Sequence, residues 1–105
     1  MDKKIKKKWL KALRSGKYKQ GRDALRIGNK FCCLGVLCDL VDSGPWVEAG
    51  DDFDDYYYYA YEYYFLPDKV VEESKLGIEA QEKLSSMNDR GKTFAEIADW
   101  IEENL

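Results

Sequence analysis

The longest apolar run in the chain, residues 31–38 (FCCLGVLC), most constrains the fold, because eight apolar residues in a row must be buried. Periodicity alone does not separate a buried strand from a buried helix here. Leu37, Leu40 and Val41 continue a helical stripe, and Ser43-Gly44-Pro45 is a helix stop signal. The sequence therefore predicts a helix over 31–43, and its cysteines and glycine would let neighbours pack close to its backbone.

The three cysteines, Cys32, Cys33 and Cys38, all lie in or beside this run. Adjacent cysteines rarely bridge each other, and the chain has no histidine and no second cysteine cluster to complete a zinc site. We interpret them as small buried hydrophobic side chains, with a reactive thiol or a metal ligand as the alternatives. No metal and no cofactor is expected.

Helices are also predicted at both ends of the chain. Ile5, Trp9, Ala12 and Leu13 form one apolar stripe in residues 2–15, between a capping Asp2 and a terminating Gly16. Towards the C-terminus, short helices are predicted over 68–74, after Pro67, and over 79–87, followed by a turn at 88–92. The last helix, over 93–105, begins at the capping box of Thr93 and Glu96.

Two other segments have a strand-like composition. Residues 18–31 contain two short pieces separated by turn residues, which suggests a small hairpin or an irregular loop. Residues 46–65 are acidic and contain seven tyrosines between Tyr56 and Tyr64, typical of a strand that is aromatic on both faces. We expect one α+β domain of 105 residues, with three main helices packed on a short antiparallel sheet or hairpin and 46–65 as a variable insert.

Charge is distributed unevenly along the chain. Residues 1–30 hold twelve Lys and Arg against two Asp, a balance of +10, and residues 31–105 have a balance of −13. The basic first helix either lies over acidic elements of the same domain or steers charged partners. No apolar stretch is long enough for a membrane span or a signal peptide, so a cytoplasmic protein is expected.

The residue types that usually carry catalysis are scarce. The chain has no histidine, phosphate loop, dinucleotide fingerprint or serine-elbow motif. Asp39, Asp42 and Asp89 would form an acid–base pair only if the fold brought them together, which leaves a small carboxylate hydrolase as an alternative. The four aspartates between 51 and 55 lack the alternation and closing glutamate of a calcium loop.

Three blocks of sequence together suggest an origin. The blocks WLKALRSGKYKQG (9–21), FCCLGVLCDL (31–40) and MNDRGKTFAEIADWIEENL (87–105) resemble a family of small uncharacterised proteins of tailed bacteriophages. That resemblance covers about half of the chain and implies a phage origin and the cytoplasm of the host cell. It implies no activity, cofactor or catalytic residue, and the tyrosine-rich segment departs from it.

A binding function is easier to motivate than a catalytic one. Tyrosine is enriched at interface hot spots, so we expect a phage accessory protein of host-takeover or anti-defence type that binds a host protein. The expected partner-binding residues are Tyr57, Tyr59, Tyr61, Tyr63, Asp54 and Asp55. One alternative is a small-ligand protein that binds a nucleotide signal through aromatic faces and the basic segment. Another is burial of the tyrosines in the core or in a homodimer; direct DNA binding is disfavoured by the acidic surface.

Overall fold

A computed structural model describes residues 1–41, 46–48, 57–59, 62 and 64–105. These residues form the predicted α+β fold, with the three main helices and the two short ones that the sequence predicts, and with two small sheets. The elements are α1 (Lys3–Arg14), β1 (Lys19–Gln20), β2 (Arg26–Ile27), β3 (Lys30–Phe31), α2 (Cys33–Val41), β4 (Trp46–Glu48), β5 (Tyr57–Tyr59), α3 (Asp68–Ser74), α4 (Ile78–Asp89) and α5 (Phe94–Asn104).

Helix α1 begins and ends where its sequence signals predict. The side chain of Asp2 accepts a hydrogen bond from the backbone N–H of Ile5 at 2.9 Å, so it satisfies one of the donors left open at the helix start. After the helix, Gly16 adopts φ +76°, a left-handed conformation that glycine reaches without a steric penalty. Trp9 and Leu13 are buried on the inner face.

Helix α2 lies at the centre of the core, and its residues Cys33 to Cys38 are all buried. Gly35 packs directly against the backbone of Leu25, which confirms the expected close approach. The predicted start of this helix was two residues too early, because Phe31 lies in strand β3. Residues 42–45, including the predicted stop signal and Asp42, lie outside the described part of the chain.

The first sheet has the order β1–β3–β2. Strand β3 pairs antiparallel with β2, through Arg26 and Phe31, but it pairs parallel with β1, through Gln20 and Phe31. This first sheet is therefore mixed, because β3 reverses direction after β2 and then runs in the same direction as β1. The second sheet is the antiparallel hairpin of β4 and β5, in which Trp46 faces Tyr59 and Glu48 faces Tyr57.

The C-terminal helices complete the layer around α2. Helix α5 starts with the predicted capping box: the Thr93 hydroxyl accepts from the N–H of Glu96 at 3.1 Å, and the Glu96 carboxylate accepts from the N–H of Thr93. The predicted turn at 88–92 was wrong in its first residues, because α4 continues to Asp89. Asn88, in that last turn of α4, is fully buried.

Ion pairs between the first and last helices compensate part of the charge asymmetry. The guanidinium of Arg14 on α1 forms ion pairs with Asp99 at 2.9 Å and Glu102 at 2.5 Å, both on α5. These exposed pairs contribute little stability because solvent screens them, but they show that the basic helix lies against an acidic one. Across the described residues, no helix is long and apolar enough to cross a membrane.

Candidate functional site: an arginine enclosed by aromatic rings

Arg26 occupies the outer strand β2 of the first sheet, beside the β4–β5 hairpin. Its guanidinium carbon lies 4.0 Å from the ring centre of Tyr57, 5.1 Å from that of Phe31 and 5.6 Å from that of Trp46. All three distances are within the range of cation–π attraction. The Nε–H donates to the carbonyl of Gly28 at 2.7 Å, which fixes the side chain against its own turn.

The rings around Arg26 belong to a continuous row of aromatic contacts. Tyr18 meets Phe31 edge-on at 5.1 Å, Phe31 meets Trp46 edge-on at 5.7 Å, and Trp46 meets Tyr59 in a tilted contact at 4.9 Å. Such edge-to-face pairs contribute about 0.5–1.5 kcal/mol each beyond the area they bury. The row therefore joins the first sheet to the hairpin.

Asp39, on α2, holds two members of this row. Its carboxylate accepts from the hydroxyl of Tyr18 at 2.5 Å and from the indole Nε1–H of Trp46 at 3.2 Å. Burial, helped by this hydrogen bond, raises the pKa of Tyr18 to about 12, so the phenol stays protonated and neutral at physiological pH. The aromatic positions are thus anchored to the central helix.

The surface formed here is partly open to solvent. Arg26, Phe31, Trp46 and Tyr57 are half-buried, and Val47 of β4 is 56% exposed. Among the described residues, no carboxylate forms an ion pair with Arg26. We refer to Arg26, Phe31, Trp46 and Tyr57 as the Arg26 platform: a cation and three rings in one place. Val47 is not part of it, because its side chain leaves the opposite face of the hairpin from that of Trp46.

The predicted partner-binding residues divide into three groups. Tyr57 lies in the Arg26 platform, and its hydroxyl donates to Glu48 at 3.5 Å. Tyr59, two residues on, is only 3% exposed and belongs to the core, so its ring supports the hairpin from within. Tyr61, Tyr63, Asp54 and Asp55 lie outside the described residues.

Sequence reasoning did not single out Arg26, Phe31 or Trp46. Arg26 looked like one of twelve basic residues in the first thirty, and Phe31 looked like the start of a helix. Their proximity depends on the pairing of β2 with β3 and on the packing of the hairpin beside β2. A hint was present in the composition, because arginine, tryptophan and tyrosine are the residue types that dominate hot spots.

The other polar candidates have structural roles. Asp89 accepts from the hydroxyl of Tyr64 at 2.8 Å and from the N–H of Asp23 at 3.0 Å, whereas Asp39 is bound to Tyr18 and Trp46. The two carboxylates therefore serve separate networks. Within the part of the chain that the structure describes, no cluster of three potential ligands could hold a metal ion.

The cysteines are buried and free, as interpreted from the sequence. Burial raises the pKa of Cys32 to about 11 and holds the pKa values of Cys33 and Cys38 well above the usual thiol value. All three thiols are thus protonated near neutral pH and poor nucleophiles.

Comparison with known proteins places the whole chain in one family. The family model described as a domain of unknown function, DUF8296, matches residues 1–105, and the chain belongs to this family. Neither the curated proteins nor the solved structures gave a match.

Proposed function

We propose that this member of the DUF8296 family is a non-enzymatic phage accessory protein that docks on a host protein through the Arg26 platform. The observation that carries this proposal is the enclosure of a half-buried arginine by Phe31, Trp46 and Tyr57. The phage origin and the host partner rest on the three sequence blocks that resemble phage proteins.

The composition of the Arg26 platform is that of a binding hot spot. Trp, Tyr and Arg are the residue types whose truncation most often weakens protein complexes, and they act best when held rigidly before binding. Here Asp39 and the aromatic row hold Trp46, and the Gly28 carbonyl holds Arg26. Little side-chain entropy is therefore left to lose when a partner covers the surface.

Charge indicates the kind of partner. Residues 46–65 contain six carboxylates and no basic residue, and two of those carboxylates, Glu48 and Glu62, are exposed in the structure. This acidic composition favours a partner with a basic surface, including one that normally holds nucleic acid. The expected complex forms faster and more tightly at low salt.

Tyr57→Ser is expected to weaken host-protein binding by about tenfold or more, since it removes the ring that lies nearest to the Arg26 guanidinium. The partner is first captured by crosslinking from host lysate, then purified and titrated by calorimetry at two salt concentrations. Ile78→Ser is the control, because Ile78 on α4 is an apolar residue outside the Arg26 platform and is 53% exposed.

Arg26→Ala tests the cation in the same titration and is expected to weaken binding to a similar extent. Equal affinities for the Tyr57→Ser and Ile78→Ser proteins would contradict docking at the Arg26 platform. So would a dimer, seen by size exclusion, that dissociates on Tyr57→Ser, because a second copy of the chain would then cover the surface.

A further inference from the structure

A second candidate site is a cleft that Tyr18 helps to line, apart from the Arg26 platform. A cleft of about 360 Å³ lies between the C-terminal half of α1, the segment before β1, and α2. Its lining includes the three cations Lys8, Lys11 and Lys17, together with Tyr18 and Leu40. The cleft thus combines positive charge with an aromatic and an aliphatic residue.

We propose that this cleft binds a mononucleotide, with its phosphate at the three lysines and its base against Tyr18 and Leu40. Ligand pockets span about 300–1,000 Å³, so a cleft of this size suits one nucleotide better than a longer strand. The ligand class follows from the pairing of a phosphate-binding rim with a flat aromatic wall.

The lysines are placed to act on one anion. Lys8 and Lys11 are three residues apart on α1 and therefore project from the same side of the helix, and Lys17 approaches from the segment that follows it. All three are exposed, and none of the cleft-lining residues in the described part of the chain is acidic. The carboxylate of Asp39, behind Tyr18, is already bound to the Tyr18 hydroxyl and the Trp46 indole.

The aromatic wall is rigid before any ligand arrives. The Tyr18 hydroxyl is held by Asp39 at 2.5 Å, and its ring packs edge-on against Phe31 at 5.1 Å. A base that stacks on this ring does not have to immobilise it, which favours binding. The neutral phenol also adds no negative charge beside the phosphate.

A second groove, of about 440 Å³ between α4 and α5, differs from the cleft beside Tyr18 in the charges that line it. It has lysines too, Lys83 and Lys92, but three carboxylates line it with them: Glu96, Asp99 and Glu103. Lys92 already pairs with Glu96 at 3.7 Å. An anion entering that groove would be repelled, whereas the cleft beside Tyr18 presents a single sign of charge.

Calorimetric titration of the full chain with each of the four ribonucleoside 5′-monophosphates tests the proposal, with adenosine and inorganic phosphate as partial ligands. At least one mononucleotide is expected to bind, with adenosine and phosphate each weaker by about tenfold or more because each makes only half of the contacts. Lys8→Gln with Lys11→Gln should weaken nucleotide binding by about tenfold or more.

Lys3→Gln with Lys4→Gln is the control, since it removes the same charge from exposed positions of α1 outside the cleft. This control protein should bind the nucleotide with nearly wild-type affinity. Three results would overturn the proposal: no heat with any mononucleotide at millimolar concentration, equal losses in the two double variants, or tighter binding of a single-stranded oligonucleotide than of its mononucleotide. The last would assign the lysines to a nucleic-acid backbone.

Discussion

Gly35→Ala is expected to lower the free energy of unfolding by about 3–5 kcal/mol, which is a large part of the stability of a small domain. A Cβ atom at position 35 would lie 1.9 Å from the carbonyl oxygen of Leu25 and 2.8 Å from its carbonyl carbon. Backbone cannot yield as a flexible side chain does, so α2 must move away from the segment before β2. That movement would also break the hydrogen bond from Cys32 N–H to the Leu25 carbonyl, now 3.1 Å.

Urea unfolding followed by circular dichroism measures this change. Gly77→Ala is the matched control, because no atom lies within 4 Å of a Cβ built at that position and its φ of −71° suits alanine. The control should stay within about 1 kcal/mol of the wild-type protein. A Gly35→Ala protein of similar stability would show that α2 and Leu25 are not in close contact.

Asn88→Leu is expected to cost about 3–5 kcal/mol, since it removes the hydrogen bonds of a fully buried amide. The Asn88 Oδ1 accepts from the N–H of Cys33 at 3.2 Å and from the Nε2 of Gln20 at 3.0 Å. Its Nδ2 donates to the carbonyl of Gly21 at 2.7 Å. One side chain thus joins α4 to the start of α2 and to β1, and leucine would leave these partners unsatisfied.

The matched control is Asn104→Leu, at an exposed position of α5 where the amide donates only to the Trp100 carbonyl. It should change the stability by about 0.5 kcal/mol or less. Asn88→Asp adds a pH test: burial should raise the pKa of the new carboxyl in the folded state, so this variant should lose stability relative to wild type as the pH rises above the unfolded pKa of about 3.9. Equal losses at Asn88 and Asn104 in the leucine variants would contradict the proposed role of the buried amide.

Local signals in the sequence were sufficient for the helices at the two ends. The Asp2 cap, the capping box of Thr93 and Glu96, and the apolar stripe of α5 each depend on residues within a few positions of one another. Such signals can be evaluated without knowing the rest of the fold. They predicted the starts of α1 and α5 to within a residue.

The wrong secondary-structure predictions concern residues whose structure depends on contacts with residues far away in the sequence. Asn88 was assigned to a turn because Asn-Asp-Arg-Gly is a turn-like sequence, yet its amide meets Gln20 across 68 positions, and this contact supports another turn of helix. Phe31 was assigned to a helix because it begins the apolar run, yet it pairs with both β1 and β2. A single sequence carries no record of such pairings.

For the same reason, the sequence predicted only part of the candidate site. The alternation of an extended chain put Tyr57 and Tyr59 on one face, but it could not show that Tyr59 is covered while Tyr57 stacks on Arg26. Which of these two tyrosines is buried depends on how the hairpin packs against the rest of the fold. Arg26 itself became a candidate only when its three rings were seen together.

The central claim, docking through the Arg26 platform, is tested most directly by a photo-crosslinking residue placed at position 48 and, separately, at position 78. Position 48 borders the platform, since the Glu48 side chain accepts from the Tyr57 hydroxyl, and both positions are exposed to solvent. Irradiation with the purified host partner should give a crosslinked product from position 48 and little from position 78. Crosslinking from position 78 alone, or equally from both positions, would contradict the assignment of the Arg26 platform as the docking surface.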